Sequence, residues 1–252
     1  MYNLLRVLIV TSCVATVAEA TTYNPVTSFQ TANNNSTNLW SYWDSTSASL
    51  TNYTSNISLL GVSNVGSCGG GTSCWDDGTM ASNMSMYPGG PNLLLGNTTG
   101  SNQTVGSSVA PNNSLVFYTR TGLTLLRFLV PTTGYYVIAG AFSGAANSPS
   151  SSTDAIYLTN GSGSILSTLY APVTGTLAMG SSNPLFDQID FLSAGETVDF
   201  LVAGTYSGSG NSLATALMAT ITTVATPEPT SLLLGLGGFG LLFIRRRFKP
   251  VS

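Results

Sequence analysis

The densest group of reactive side chains in the sequence lies in one short glycine-rich segment. Cys68 and Cys74 enclose the residues GGGTS, and Trp75 follows directly. Outside the cytoplasm an isolated pair of cysteines is expected to be oxidised, and glycines let the intervening backbone turn tightly. The sequence therefore predicts a disulfide between Cys68 and Cys74. A redox or metal site is the alternative, although two thiols without a histidine make a poor zinc site.

Two tryptophans are the predicted ligand contacts. Trp75 and Trp43 carry flat rings that, when exposed, stack on the faces of sugars. Asp76 and Asp77 follow Trp75, and their carboxylates can accept hydrogen bonds from sugar hydroxyls. The sequence thus predicts a glycan contact at these four residues. Packing in the core is the alternative, and it is the expected role of the nearby Trp40.

Pairs of carboxylates suggest a cation site. Asp76 with Asp77, or Asp187 with Asp190, can bind calcium together with backbone carbonyls, because hard cations prefer several oxygen ligands. The sequence spells out no complete calcium-binding loop, so solvated turn carboxylates are the alternative. We therefore predict no required cofactor and no metal site.

Carboxylates also bear on catalysis. A glycosidase needs two of them at a defined separation, and several acids are present in the middle of the chain. Asp199 is the only acid within an apolar strand pattern, whereas Glu196 belongs to an ordinary turn. We expect a non-catalytic protein, with a polysaccharide-active enzyme as the less favoured alternative.

The charge of the chain excludes several classes of function. Its 252 residues include no histidine and seven Lys or Arg, of which only Arg120 and Arg127 lie away from the two ends. Ser-His-Asp and Cys-His catalysis, Schiff bases and histidine-ligated zinc are excluded there. Nucleic acid is excluded as a partner, because clustered basic side chains bind the phosphate backbone. Low charge with many hydroxyl and amide groups suits a hydrated polysaccharide matrix.

The elements that must position these residues are predicted to be β-strands. Short runs rich in Val, Ile, Tyr and Phe recur between Gly, Asn, Ser and Pro clusters, a pattern typical of a sandwich or barrel. Turns at 131–134, 160–163 and 194–196 join consecutive runs closely enough for antiparallel pairing. Residues 60–110 fit the pattern least and are predicted to be an irregular, loop-rich insert. The predicted strands are 114–119, 124–130, 134–142, 155–159, 165–170, 188–192, 197–203 and 217–222.

The N-terminus has the three parts of a secretory signal peptide. Residues 1–6 are short and cationic, residues 7–17 are apolar, and Ala18 and Ala20 form the small-x-small pattern of a signal peptidase site. Cleavage after Ala20 is predicted. An uncleaved anchor helix is one alternative, although the apolar run is shorter than the roughly 20 residues that span a bilayer. A lipoprotein signal at Cys13 is the other.

The C-terminus carries a second membrane signal. As a helix, residues 229–244 would reach roughly 24 Å against a hydrocarbon core of about 30 Å. A buried core helix is the alternative, but the basic tail that follows favours a span with this tail on the cytoplasmic side. The residues that open the segment are Pro227, Glu228 and Pro229. The basic residues that close it are Arg245, Arg246 and Arg247.

These C-terminal features together resemble the PEP-CTERM sorting signal of Gram-negative bacteria, over residues 226–252. The resemblance implies that exosortase, a membrane-embedded processing enzyme, recognises the Pro-Glu-Pro tripeptide and removes the helix. Members of this family are typically exported and associated with exopolysaccharide and biofilm matrix. We therefore expect an exported protein of the cell surface or extracellular matrix, held transiently in the inner membrane. A carbohydrate-binding module with a specific glycan ligand is the alternative.

A second resemblance concerns the fold. Residues 128–142 (FLVPTTGYYVIAGAF) and 192–200 (LSAGETVDF) are similar to a pattern of jelly-roll sandwiches in PEP-CTERM ectodomains and carbohydrate-binding modules. Residues 38–42 (NLWSY) look like its entry strand, although Trp43 and Asp44 depart from it. The resemblance implies an all-β, antiparallel jelly-roll-like β-sandwich over residues 21–225, between the signal peptide and the sorting helix. It suggests sugar binding only by analogy.

Overall fold

The computed structural model describes residues 19–47, 49–50, 53–78, 92–106, 108–119, 121–146, 151–161, 163–205 and 213–225. The chain divides into two compact units, residues 22–223 and the two ends. Residues 1–18 of the predicted signal peptide and the whole predicted sorting segment 226–252 fall outside the described residues. Within the ranges given above, no helix is both long and apolar enough to cross a bilayer.

The regular secondary structure described in residues 22–223 consists of β-strands apart from one 3-10 turn. In the first half of the chain these are β1 Thr22–Tyr23, β2 Trp40–Ser45, β3 Ile57–Leu59, β4 Val62–Asn64, β5 Ser73–Asp76, β6 Leu93–Asn97, β7 Gln103–Val105, β8 Ser108–Ala110, β9 Ser114–Tyr118 and β10 Thr121–Leu129. The later strands are β11 Gly134–Gly144, β12 Ser152–Thr159, β13 Ile165–Gly175, β14 Phe186–Leu192, β15 Thr197–Thr205 and β16 Ala214–Thr223. A 3-10 turn, Tyr53–Ser55, precedes β3.

These strands form two large antiparallel sheets and one small one. The eight-stranded sheet has the order β14-β11-β16-β9-β6-β5-β4, with β1 also paired to β16. The six-stranded sheet has the order β13-β12-β15-β10-β2-β3, and β7 pairs with β8 separately. The fold is therefore all-β, and the two large sheets pack on each other as a sandwich.

Alternation along the strands creates the core between the two sheets. On β15, Val198, Phe200 and Val202 belong to the central hydrophobic cluster, whereas Leu201 packs on the opposite side of its sheet. This is the period of two that the sequence predicts for that strand. Aromatic rings fill much of the centre, including Trp40, whose ring centroid lies 4.8 Å from that of Phe128.

All eight predicted strands are present, as β9 to β16, with ends that differ by up to five residues. Residues 60–110 differ from the prediction of an irregular insert, because five strands lie there. Three of them, β4, β5 and β6, belong to the eight-stranded sheet, where β6 pairs with β9. These strands are only three to five residues long, too short to show a periodic pattern in the sequence.

Only one of the three predicted turns closes a hairpin. The turn at 160–163 joins β12 to β13, which pair directly, and the amide of Gly163 donates to the carbonyl of Asn160 at 2.8 Å. The turns at 131–134 and 194–196 instead carry the chain from one sheet to the other, because β10 and β11, and likewise β14 and β15, belong to different sheets. The prediction that strands joined by these two short turns pair with each other is therefore wrong.

Candidate functional site

The predicted glycan-binding tryptophan lies in the core. The structure contains the disulfide between Cys68 and Cys74, whose Cα atoms are 5.9 Å apart. Trp75 follows on β5 and is only 5 % exposed. Its ring stacks near Tyr42, with centroids 6.3 Å apart, and its Nε1–H donates to the carbonyl of Gln30. Strand alternation turns the ring inward, so its faces are not available to a sugar.

Trp43 is also occupied by protein contacts. It lies half-buried on the outer side of the six-stranded sheet, where its Nε1–H donates to the Ser41 hydroxyl at 2.8 Å. The guanidinium carbon of Arg127 lies 5.1 Å from the centroid of its ring, within the range of a cation–π contact. One face of Trp43 is therefore covered by Arg127.

The neighbouring carboxylates have local hydrogen bonds. Asp76 is fully buried and accepts hydrogen bonds from the Gly78 amide and the Asn64 side chain. Asp77 is exposed and accepts from the amide of Asn92 at 3.3 Å. Among the residues that the structure describes, no three His, Cys, Asp or Glu side chains are close enough to bind one metal ion together.

The two carboxylates considered for catalysis are likewise engaged. Asp199 is fully buried and bound by Arg127 in a bidentate ion pair, with Nε and Nη2 at 2.8 and 2.7 Å from its oxygens. The Tyr53 hydroxyl also donates to it at 2.7 Å. Burial alone would lower the pKa of Arg127, but the contact with Asp199 raises it above its ordinary value. Glu196 accepts from the amide of Ser193 within its turn.

A carboxylate that the sequence did not single out lies between the sheets. Asp154 on β12 is fully buried, with the Asn183 side chain donating to its Oδ2 at 2.7 Å. Its Oδ1 has no hydrogen-bond partner among the described residues. Burial raises the pKa of this carboxyl from 3.8 to about 7, because a low-dielectric interior disfavours the charged form.

An exposed apolar area lies on the outer side of the eight-stranded sheet. Tyr135 and Phe191 face each other across β11 and β14, with ring centroids 5.2 Å apart and an interplanar angle of 68°. They are 50 % and 51 % exposed. Ile189 on the same edge strand is 68 % exposed and lies opposite Val137. Exposed apolar patches of this kind mark sites of interaction.

We call this area the open face, and its outward residues form rows across the sheet. Hydroxyl and carboxylate groups alternate there with apolar ones, and no residue of the set is basic. The first row pairs Tyr135 with Phe191, the second places Val137 between Ile189 and Thr222, and the third places Ala139 between Asp187 and Thr220. The members of the open face are Tyr135, Val137, Ala139, Asp187, Ile189, Phe191, Met218, Thr220 and Thr222.

A signal for the open face is present in the sequence. In the run GYYVIAGAF, apolar residues occupy the positions on both sides of the strand. Tyr136 and Ile138 fill the core, whereas Tyr135 and Val137 face outward. A strand with one solvated face normally shows polar residues at the outward positions. Apolar residues on both faces of an edge region therefore indicate either a covering element or a ligand.

The comparisons with known proteins give partial similarities of fold. No family model matches the chain, and no curated protein matches its sequence. The mannan-binding module of Man5C is 18 % identical with a TM-score of 0.25, over 51 % of this chain and 97 % of that one. A family 35 carbohydrate-binding module from Clostridium thermocellum is 12 % identical with a TM-score of 0.23, over 50 % and 79 %.

A larger protein gives a similar result. The enzymatically active domain of tailspike protein 4 from bacteriophage CBA120 is 12 % identical with a TM-score of 0.27. The similarity covers 45 % of this chain but only 15 % of that one. With TM-scores this low, none of these structures assigns a function to the present chain.

Proposed function

We propose that this protein is an exported, non-catalytic protein of the cell surface or matrix that binds a neutral polysaccharide on its open face. The observation that carries the proposal is the pair of half-exposed rings, Tyr135 and Phe191, on the outer side of the sheet. Aromatic rings supply a large rigid contact area for the apolar faces of sugars. Two rows further along the sheet, Thr220 and Asp187 offer hydroxyl and carboxylate groups to sugar hydroxyls.

The charge of the protein favours an uncharged ligand. Between residues 21 and 225 the sequence has seven Asp, one Glu and two Arg, which gives a net charge of 2 − 8 = −6. Of these two arginines, Arg127 is bound to Asp199 on the other sheet. A polyanion would be repelled by such a surface, whereas a neutral chain of hydroxyl groups would not.

We further propose the jelly-roll topology for strands β9 to β16. Four of them have the order β9-β16-β11-β14 in one sheet, and the other four have the order β10-β15-β12-β13 in the other. This is the arrangement expected when two four-stranded Greek keys fold together. On this interpretation β1 to β8 are additions at the sides of an eight-stranded core.

Export and sorting are proposed from the two ends of the sequence. Ala18 and Ala20 define the signal peptidase site, and the segment that starts at Pro227 is the substrate of exosortase. Removal of both ends would release the sandwich outside the inner membrane, where its disulfide is stable. Mass spectrometry of the intact native product would identify both processed ends.

Binding of the full-length protein to insoluble polysaccharides tests the open face. We expect retention by at least one neutral polysaccharide among cellulose, mannan and a β-1,3-glucan, and none by alginate, a polyuronate. The double variant Tyr135→Leu/Phe191→Leu keeps apolar area but removes both rings. It should bind about tenfold more weakly, since two ring contacts contribute about 0.5–1.5 kcal/mol each.

Leu166→Ala is the matched control, because Leu166 is 50 % exposed on β13 of the other sheet. This variant should bind as the unmodified protein does. Retention of the double variant at full strength, or retention of the protein by alginate alone, would contradict the proposal.

A further inference from the structure

The eight-stranded sheet has a gap in its pairing beside the open face. Along one edge, β16 pairs with β9 only as far as Leu217 and with β1 only from Ile221 onward. Residues 218–220 of β16 therefore pair with neither β9 nor β1. Asn113 precedes β9 at one end of the gap, and Asn24 follows β1 at the other.

This gap forms a cleft of about 310 Å³, within the range of small-ligand sites. Its base is made of small residues, and the closest packing is at Gly140. A Cβ atom on Gly140 would lie 2.2 Å from the carbonyl oxygen of Met218, so the two backbones approach each other too closely for any side chain. The lining residues are Asn24, Asn113, Ala139, Gly140, Met218, Ala219 and Thr220.

The polar groups around the cleft are uncharged and available to a ligand. The Oδ1 of Asn24 accepts from the amides of Val26 and Thr27 at 2.8 and 3.2 Å. These contacts fix the Asn24 side chain and leave its NH₂ group without a partner among the described residues. Within the same ranges, the side chains of Asn113 and Thr220 also have no hydrogen-bond partner.

We infer that the cleft is a second sugar subsite and that the ligand is an extended neutral polysaccharide chain. This inference rests on the proposed function of the open face. Tyr135 and Ala139 are four residues apart on one strand, about 13 Å at the rise of a β-strand. One sugar ring cannot touch both the aromatic pair and the cleft, so a chain of several rings must lie along β11.

The cleft contributes specificity through its hydrogen-bonding groups. The free NH₂ group of Asn24 can donate, whereas the Asn113 amide and the Thr220 hydroxyl can donate and accept, which matches the hydroxyls of a neutral sugar. The aromatic pair, in contrast, stacks on any sugar with an apolar face. The two subsites together recognise the interior of a chain rather than a single terminal sugar.

The test uses calorimetry to measure how the full-length protein binds oligosaccharides. These are made from the neutral polysaccharide that retains the protein in the binding test above. We expect the affinity for the hexasaccharide to exceed that for the disaccharide by at least about tenfold, and both to depend on the aromatic pair. Ala139→Gln fills the cleft. It should reduce the ratio of hexasaccharide to disaccharide affinity from at least about tenfold to about one, because only the longer ligand reaches the cleft.

Two further variants complete the experiment. Ala171→Gln makes the same substitution at an exposed alanine of β13 and should leave both affinities unchanged. Asn113→Gly suits the positive φ of 54° at this position and removes only the amide. It should weaken hexasaccharide binding, and thermal unfolding confirms that each variant is folded.

Each outcome decides between the two proposals. Full hexasaccharide affinity in both Ala139→Gln and Asn113→Gly would overturn the cleft while the open face stands. Equal loss of disaccharide and hexasaccharide affinity in Ala139→Gln would also overturn it, because the cleft would then not be a separate subsite. Absence of any binding by the unmodified protein, or full binding by Tyr135→Leu/Phe191→Leu, would overturn the proposed function itself.

Discussion

The outer side of the eight-stranded sheet has two halves of opposite character. On β5, β6 and β9, outward apolar side chains are buried in a second cluster, together with the disulfide and residues of the β7–β8 hairpin. On β14, β11 and the end of β16, outward apolar side chains form the open face and are exposed. Both halves have apolar outward residues, yet the part of the chain that the structure describes covers only one.

The two halves show that an apolar side chain on the outer side of a strand can have either of two roles. In the covered half, Leu95 is fully buried in a cluster with Val105 of β7 and Ala110 of β8, so its hydrophobicity serves stability. In the open half, Ile189 is largely exposed, so its hydrophobicity contributes little to stability and is available to the ligand that we propose. Sequence composition alone does not distinguish the two cases.

Truncation of one residue in each half gives the largest contrast. Leu95→Ala should lower the free energy of unfolding by about 2–5 kcal/mol, because it leaves a cavity in packed surroundings. Ile189→Ala should change it by no more than about 0.5 kcal/mol, because its side chain is exposed. Chemical denaturation of both variants measures the difference. Similar losses in the two variants would show that the open face is covered in the folded protein.

A smaller effect is expected on the pH dependence of stability, from a carboxylate buried between the two large sheets. The buried Asp154 has its pKa raised to about 7, so the folded state binds its proton more tightly than the unfolded state does. Its contribution to stability is complete below about pH 4 and decreases as the pH rises to about 7. Asp44 has its pKa raised as well, mainly by burial, and acts in the same direction.

Asp154→Asn isolates this effect. The amide cannot ionise and keeps a similar shape, so the variant should lose less stability between pH 4 and pH 8 than the unmodified protein. Unfolding midpoints across this range check the prediction, with Asp187→Asn on the exposed edge strand as the control. Identical pH profiles for Asp154→Asn and the unmodified protein would contradict a strongly raised pKa.

The sequence predicts the central fold well and its additions poorly. Strands β9 to β16 carry runs of five to eleven residues rich in Val, Ile, Tyr and Phe, and such runs reveal both their type and their core face. Strands β3 to β5, β7 and β8 are only three or four residues long. Their pairing is largely local, since β3 pairs with β2, β4 with β5 and β7 with β8, but runs this short contain too few residues to show an alternating pattern.

The candidate site was less predictable than the fold. Trp75 follows a glycine-rich segment and precedes two carboxylates, a context typical of a loop, yet strand pairing turns it into the core. Tyr135 stands next to Tyr136 in an unmistakable strand, but its exposure depends on which elements cover that half of the sheet. The cleft depends on where two separate strands end, which only the assembled sheet determines.

The most direct test of the central claim maps the ligand onto the two halves of the sheet. Amide and side-chain NMR signals of the full-length protein in detergent would be followed during titration with the hexasaccharide of the retained neutral polysaccharide. Signals from Tyr135, Ile189 and Phe191 should shift with saturation, while those from Leu95 and Val116 in the covered half should not. Saturable shifts centred on Trp75 and Asp77, with the open face unchanged, would contradict it.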